Sequence, residues 1–201
     1  MIGMLPGMSP DGHPERVCVY CASSTLCDPG FHAAARRLGE LLAGAGVGVV
    51  YGGGSVGSMG ALADGAIEAG GHVEGVIPEF MYDLEWAHEG LSHLEVVDDM
   101  HQRKRLMIAD VDAIIALPGG SGTFEELLEA ITWKRLELHA HPIVIVNTNG
   151  YYNALLRALE QAVDLNFMGE RREEGLWSVV ESPDEVLEAI AAAWPEDAPS
   201  V

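Results

Sequence analysis

Positive charge is scarce in this sequence: 11 Lys and Arg stand against 31 Asp and Glu, a formal net charge of -20 at pH 7. The overall field therefore repels nucleic acid polymers and anionic membranes, and neither is expected as a partner. Cysteine is also rare. Cys18, Cys21 and Cys27 are an odd number confined to one region, which excludes a disulfide framework. Together with His32 they can be drawn as a zinc site. Val17-Cys18-Val19-Tyr20, however, reads as a buried strand, where cysteine behaves as a small hydrophobe, so no metal is expected. No apolar run reaches the ~18 residues of a membrane span. Met1 to Glu15 lacks the basic start and apolar centre of a signal peptide, and a cytoplasmic protein is expected. Repeats, low-complexity stretches and linkers are missing too. What remains, 201 residues of 48% hydrophobic content, predicts one domain over 16–194, with a leader at 1–15 and a tail at 195–201.

Within that domain, short apolar runs alternate with helical spacing. Strands are predicted at Val17 to Cys21, Val47 to Tyr51, His72 to Ile77, Leu94 to Val97, Ala113 to Leu117, Pro142 to Val146 and Trp177 to Val180. Helices fall between them, the first opened by Asp28-Pro29 as cap and N1 proline. Strands that are apolar throughout and separated by helices require a parallel sheet of about seven strands with helices on both faces. Glu79 to His93 breaks the pattern and reads as a polar excursion over one end of the sheet, a place where loops often line a site.

Two glycine runs follow strands directly, and so belong on the carboxyl edge of the sheet where ligands sit. Leu117-Pro118-Gly119-Gly120-Ser121-Gly122-Thr123-Phe124-Glu125-Glu126 joins a strand, a glycine turn and a helix start, a sequence suited to cradling a phosphate on unpaired amides. Its last glutamate has two readings: an acid beside the cradle, or half of a capping box Thr123-x-x-Glu126. Gly52-x-Gly54-x-x-Gly57 matches a dinucleotide fingerprint in form. It follows the second strand and lacks a well-placed acid after the next, so tight-turn glycines are the competing reading and no NAD is expected. Three of the few cations, Arg103-Lys104-Arg105, cluster after Asp99-Met100-His101-Gln102 and could give a phosphorylated ligand its positive pocket.

Pro118-Gly119-Gly120-x-Gly122-Thr123-x-x-Glu126, Met100-His101-x-Arg103-Lys104 and Tyr51-Gly52-Gly53-Gly54 together resemble the Lonely Guy family of cytokinin-activating phosphoribohydrolases, long mislabelled as lysine decarboxylases. The likeness runs from Val17 to the last helix and includes Ala130-Ile131-Thr132-Trp133 and Asn149-Gly150-Tyr151-Tyr152-Asn153. It implies a Rossmann-like subunit, a homodimer or larger homo-oligomer, that hydrolyses the N-glycosidic bond of a purine nucleoside 5'-monophosphate without a cofactor. By the same resemblance, Glu85 stands where the family has a substrate-contacting glutamate. Cys21-Ala22-Ser23-Ser24 replaces the more usual Cys-Gly-Ser-Ser, and Ser121 stands where plant members often carry tyrosine.

Such a cleavage builds positive charge on the sugar and negative charge on the base. Catalysis is expected from Glu126, stabilising the sugar cation and activating water, and from Arg103, holding the nucleotide and the departing base. Amides of Gly119, Gly120, Ser121, Gly122, Thr123, Phe124 and Glu125 would bind the 5'-phosphate, with hydroxyls from Thr123 and Thr132. Lys104 either neutralises that phosphate or the acidic surface, and His101 is read as structural. A non-catalytic nucleotide or cofactor carrier is the competing function. Pyridoxal-dependent decarboxylation would need a Schiff-base lysine, and only Lys104 and Lys134 exist.

Overall fold

The computed structural model describes residues 13–85, 87–168 and 175–194. In order these form β1 (Arg16–Tyr20), α1 (Pro29–Gly44), β2 (Gly48–Tyr51), α2 (Gly57–Glu68), β3 (Val73–Pro78), α3 (Glu79–Glu85) and β4 (His93–Val97). There follow α4 (Met100–Met107), β5 (Ala113–Ala116), α5 (Ser121–Arg135), β6 (Ile143–Val146), α6 (Asn153–Asp164), β7 (Ser178–Val180) and α7 (Val186–Ala192). Residues 1–12 of the expected leader, the 195–201 tail and the side chain of Glu85 lie outside the described part.

All seven strands are parallel, in the order β4-β3-β2-β1-β5-β6-β7. The chain builds outward from β1 to β4, then crosses back to β5 on the other side of β1. The β1/β5 boundary is therefore the topological switch point, where loops leaving adjacent strands diverge and open a crevice. Alternation along β1 divides the core. Val17, Val19 and Cys21 face a layer with Leu38, Leu62 and Ile190. Cys18 and Tyr20 face the other, with Met107, Leu127 and Tyr152. Cys18 and Cys21 thus point to opposite faces, and Cys27 sulfur lies 3.2 Å from His32 Nε2, so the zinc drawing is split in two. Among the described residues no helix is long and apolar enough to cross a membrane.

Two elements differ from the sequence reading. The excursion after β3 begins with a helix, α3, whose first turn carries Glu79 just after Pro78. It then returns across the sheet end, pinned where His88 N–H donates to Gly53 carbonyl at 3.1 Å and Gly54 bridges Ala87. Helix α5 runs Ser121–Arg135 with Gly120 as its cap, so Thr123 sits in its first turn. Its buried face is Thr123, Glu126, Leu127, Ala130 and Ile131, while Leu128 and Leu138 are exposed.

Candidate active site

The glycine run after β5 opens α5 with no side chain capping its start, whereas Asp28 caps α1 and Asp99 caps α4. The first intrahelical bond is from Phe124 N–H to Gly120 carbonyl at 3.0 Å, and amides ahead of it have no acceptor within the helix. Gly119 is required sterically, because a Cβ there would lie 2.1 Å from Thr123 Oγ1. Gly120, Ser121 and Gly122 are exposed and Thr123 is buried against the loop. The capping-box reading of Glu126 is thereby corrected. Thr123 lies inside the helix, and the Glu126 carboxylate is turned inward on the core-facing stripe.

Opposite it stands Arg103. Asp99 begins α4 by accepting from the amides of His101 and Gln102, both at 2.8 Å, bonds that hold its own carboxyl below the usual range. The inward face of that helix is Arg103, Lys104 and Met107. Arg103 Nε donates to Val76 carbonyl at 3.1 Å and Nη2 to Gly52 carbonyl at 3.3 Å. With those two sites fixed, Nη1 faces Glu126 Oε1 at 3.8 Å, the side chains being 4% and 7% exposed. Gly52 makes this seat possible, since a Cβ there would fall 2.2 Å from Arg103 Nη2. Beneath the pair, burial and then the charge of Glu126 push the Cys18 thiol well up, and burial also raises Tyr20. The carboxylate therefore sits over β1, beside the switch point, within reach of Cys18 and Tyr20.

Lys104 does not join them. Its ammonium bonds Glu125 Oε1 at 2.5 Å and Glu129 Oε2 at 2.7 Å. Burial opposes its charge, but those two carboxylates more than offset this and raise its pKa. Of the two roles expected for Lys104, these ion pairs fit neutralisation of acidic neighbours, and they clamp α4 to α5. Arg105 is exposed, so the three-cation cluster resolves into a buried site cation, a clamp and a solvated side chain. Thr132, expected as a phosphate contact, lies apart from the glycine turn in this chain. It lies three turns, about 16 Å, from the start of α5. Its hydroxyl donates to Leu128 carbonyl at 2.7 Å. Of the fingerprint glycines, Gly52 seats Arg103 and Gly57, with φ 63°, abuts the backbone of Ser23 and Ser24.

Sequence reasoning left one part of the site unread. The Tyr151 hydroxyl donates to Gly119 carbonyl and the Tyr152 hydroxyl to Leu117 carbonyl, the latter at 2.7 Å. The signal available was the paired tyrosines just after an Asn-Gly turn at a strand end, on the same sheet edge as the glycine loop.

A doubly wound parallel sheet, with an uncapped glycine-rich helix start at its switch point and a buried Arg–Glu pair beside it, defines a Rossmann-like protein with a candidate ligand site at that edge. The sequence profile of the family described as "Possible lysine decarboxylase" matches residues 59–190. The cytokinin riboside 5'-monophosphate phosphoribohydrolase LOG7 of Arabidopsis thaliana is 46% identical over 154 residues, 77% of this chain and 71% of that protein. LOG2 of the same plant is 41% identical over 169 residues, 84% of this chain and 79% of its own length. The chain belongs to this Lonely Guy family, for which the lysine decarboxylase description is the older label. Among solved structures, the molybdenum cofactor carrier protein of Chlamydomonas reinhardtii superposes with a TM-score of 0.67 at 21% identity, covering 89% of this chain and 96% of that one. At that identity the likeness shows the fold alone.

Proposed function

We propose that this chain hydrolyses the N-glycosidic bond of purine nucleoside 5'-monophosphates, AMP and N6-modified adenine nucleotides of the cytokinin type, releasing the free base and ribose 5-phosphate. The observation that carries the reading is the buried Arg103–Glu126 pair held 3.8 Å apart beside an uncapped glycine-rich helix start. Amides of residues 119–123, ahead of the first intrahelical bond, grip the 5'-phosphate, and this anchoring brings the sugar to Glu126. In the reaction the C1'–N bond breaks with its electron pair leaving on the base, and water oxygen bonds C1'. Glu126 takes the proton from that water and stabilises the sugar cation. Arg103 stabilises the charge on the departing base, and the proton ends on the base. No other reactant is needed.

The carrier reading is weaker, because proteins over 40% identical across the aligned residues are named phosphoribohydrolases while the carrier likeness is at 21%. Incubating the protein with AMP and with N6-prenylated AMP, then separating the bases by chromatography, tests this directly. Base release is expected from at least one; nucleotide binding without release of either base would establish the carrier.

The assembly is a homo-oligomer. Along the outer side of α5 runs an open groove of ≈ 630 Å³ whose floor includes Phe124, Leu128, Thr132 and Trp133, flanked by the clamped Glu125 and Glu129. A second copy is its occupant, which would give exposed Thr132 a role in a neighbour's site. Light scattering is expected to show a dimer or larger species; a monomer at micromolar concentration would overturn this.

A further inference from the structure

We propose that Tyr151 and Tyr152 are positioning residues for the phosphate loop, the Tyr152 hydroxyl holding the loop at Leu117 and the Tyr151 hydroxyl setting the direction in which the Gly120 amide presents itself to the anion. The inference rests on the phosphate-cradle reading above and assigns a role to the Asn149-Gly150-Tyr151-Tyr152 turn.

Both hydroxyls reach from the turn after β6 to the loop after β5. Tyr152 takes the Leu117 carbonyl at 2.7 Å and Tyr151 the Gly119 carbonyl, so the bonds bracket Pro118. Peptide units are planar and trans, and a carbonyl turned one way directs the N–H of the same unit the opposite way. Holding the Gly119 oxygen toward Tyr151 therefore fixes the Gly120 N–H away from Tyr151. On the Gly120 side the unit has room to turn, since a Cβ there would meet nothing within 4 Å and glycine rotates at low steric cost. A flipped unit would aim its carbonyl oxygen where the N–H had been and repel an anion. The Leu117–Pro118 unit has no N–H to misdirect, so the bond from Tyr152 holds the loop in place while that from Tyr151 sets an amide.

The clamp itself is braced. Asn149 and Gly150 make the left-handed turn, with φ 56° and 70°. Buried Asn147 accepts from Tyr152 N–H at 2.8 Å and donates to Asn153 at 3.0 Å and Glu181 at 3.3 Å. Phe124, in the first turn of α5, stacks on the Tyr151 ring at 6.1 Å and meets the Tyr152 ring edge-on at 6.0 Å. Phe31 of α1 closes on the edge of Tyr151 at 5.6 Å. The rings thus fix the tyrosines relative to the helix start, and the hydroxyls fix the loop relative to the rings.

The test is calorimetric binding of ribose 5-phosphate to the full chain and to Tyr151→Phe and Tyr152→Phe, with KM and kcat for AMP and thermal unfolding alongside. Phenylalanine keeps the ring contacts and removes only the hydroxyl. Tyr151 is 38% exposed, so its variant is expected to remain folded even where the fully buried Tyr152→Phe is not. Tyr151→Phe is expected to weaken ribose 5-phosphate roughly three- to tenfold, the value of one hydrogen bond. KM for AMP should rise by the same factor while kcat moves much less. Parent-like affinity with only a lower unfolding midpoint would make both tyrosines merely structural and overturn the proposal. If the parent releases no base yet Tyr151→Phe still loses affinity, the hydrolase reading falls and the positioning role stands. Base release by the parent with equal affinity in both variants does the reverse. A parent that binds no ribose 5-phosphate overturns cradle and clamp together.

Discussion

Glu126→Gln is expected to bind AMP as well as the parent and to release adenine roughly 10²- to 10⁴-fold more slowly, the range lost with a positioned acid–base group. The amide matches the carboxylate in shape, so the inward stripe of Thr123, Glu126, Leu127, Ala130 and Ile131 is preserved and α5 keeps its packing. What disappears is the negative charge facing Arg103 and the ability to take a proton from water. Ground-state affinity has no reason to fall, because the phosphate is held one turn away by amides that the substitution leaves alone. The loss therefore belongs in kcat. Nucleotide titration followed by chromatographic base release separates the two, and a variant that cleaves at the parent rate would remove Glu126 from the mechanism.

That assignment could be reached from the sequence only in part. Continuous apolar strands such as Ile143–Val146 and the helices between them made the parallel sheet legible, because burial on both faces leaves a pattern that local composition displays. The glycine-rich helix start was equally legible, since Pro118 to Thr123 is set by backbone geometry, glycine and a helix beginning. Glu126 was harder. A capping box and an inward-facing acid share one spacing, and the choice depends on which residue begins the helix, a boundary that local sequence sets loosely. Counting from Gly120 as the cap puts Glu126 on the same face as Leu127, Ala130 and Ile131 and turns it away from the capping position. The placement of Lys104 and Thr132 was hidden for another reason. Adjacent residues on a helix differ by about 100° in direction, so Arg103 and Lys104 are both buried yet reach different partners, and Thr132 belongs to the far end of a long helix. The helix α3 lacked a clear signal, because its seven residues mix exposed Phe80, Tyr82 and Leu84 with no apolar stripe to mark a face.

Arg103→Ala should lose at least about 10²-fold in kcat/KM for AMP, comparable to removing one preorganised donor from a transition state. The reason lies in how the guanidinium is held. Val76 and Gly52 carbonyls occupy Nε and Nη2, which leaves Nη1 aimed at the carboxylate with little freedom to turn. Removing the side chain also strips donors from two buried carbonyls, so a stability loss of roughly 1–3 kcal/mol is expected in thermal unfolding and must be separated from the kinetic effect. Arg103→Lys makes that separation. One ammonium retains the charge but cannot fill three directions at once, so it is expected to regain only a small part of the activity. Gly52→Ala approaches from the other side: the charge and both helices stay, while a Cβ 2.2 Å from Nη2 forces the guanidinium off its seat. Its kcat is expected to fall in the same direction as Arg103→Ala, with ribose 5-phosphate affinity held by the untouched cradle. A Gly52→Ala chain with parent kcat would mean that the charge of Arg103 suffices wherever it sits. A fall confined to kcat would mean that the position set by Gly52 and Val76 is what the reaction uses.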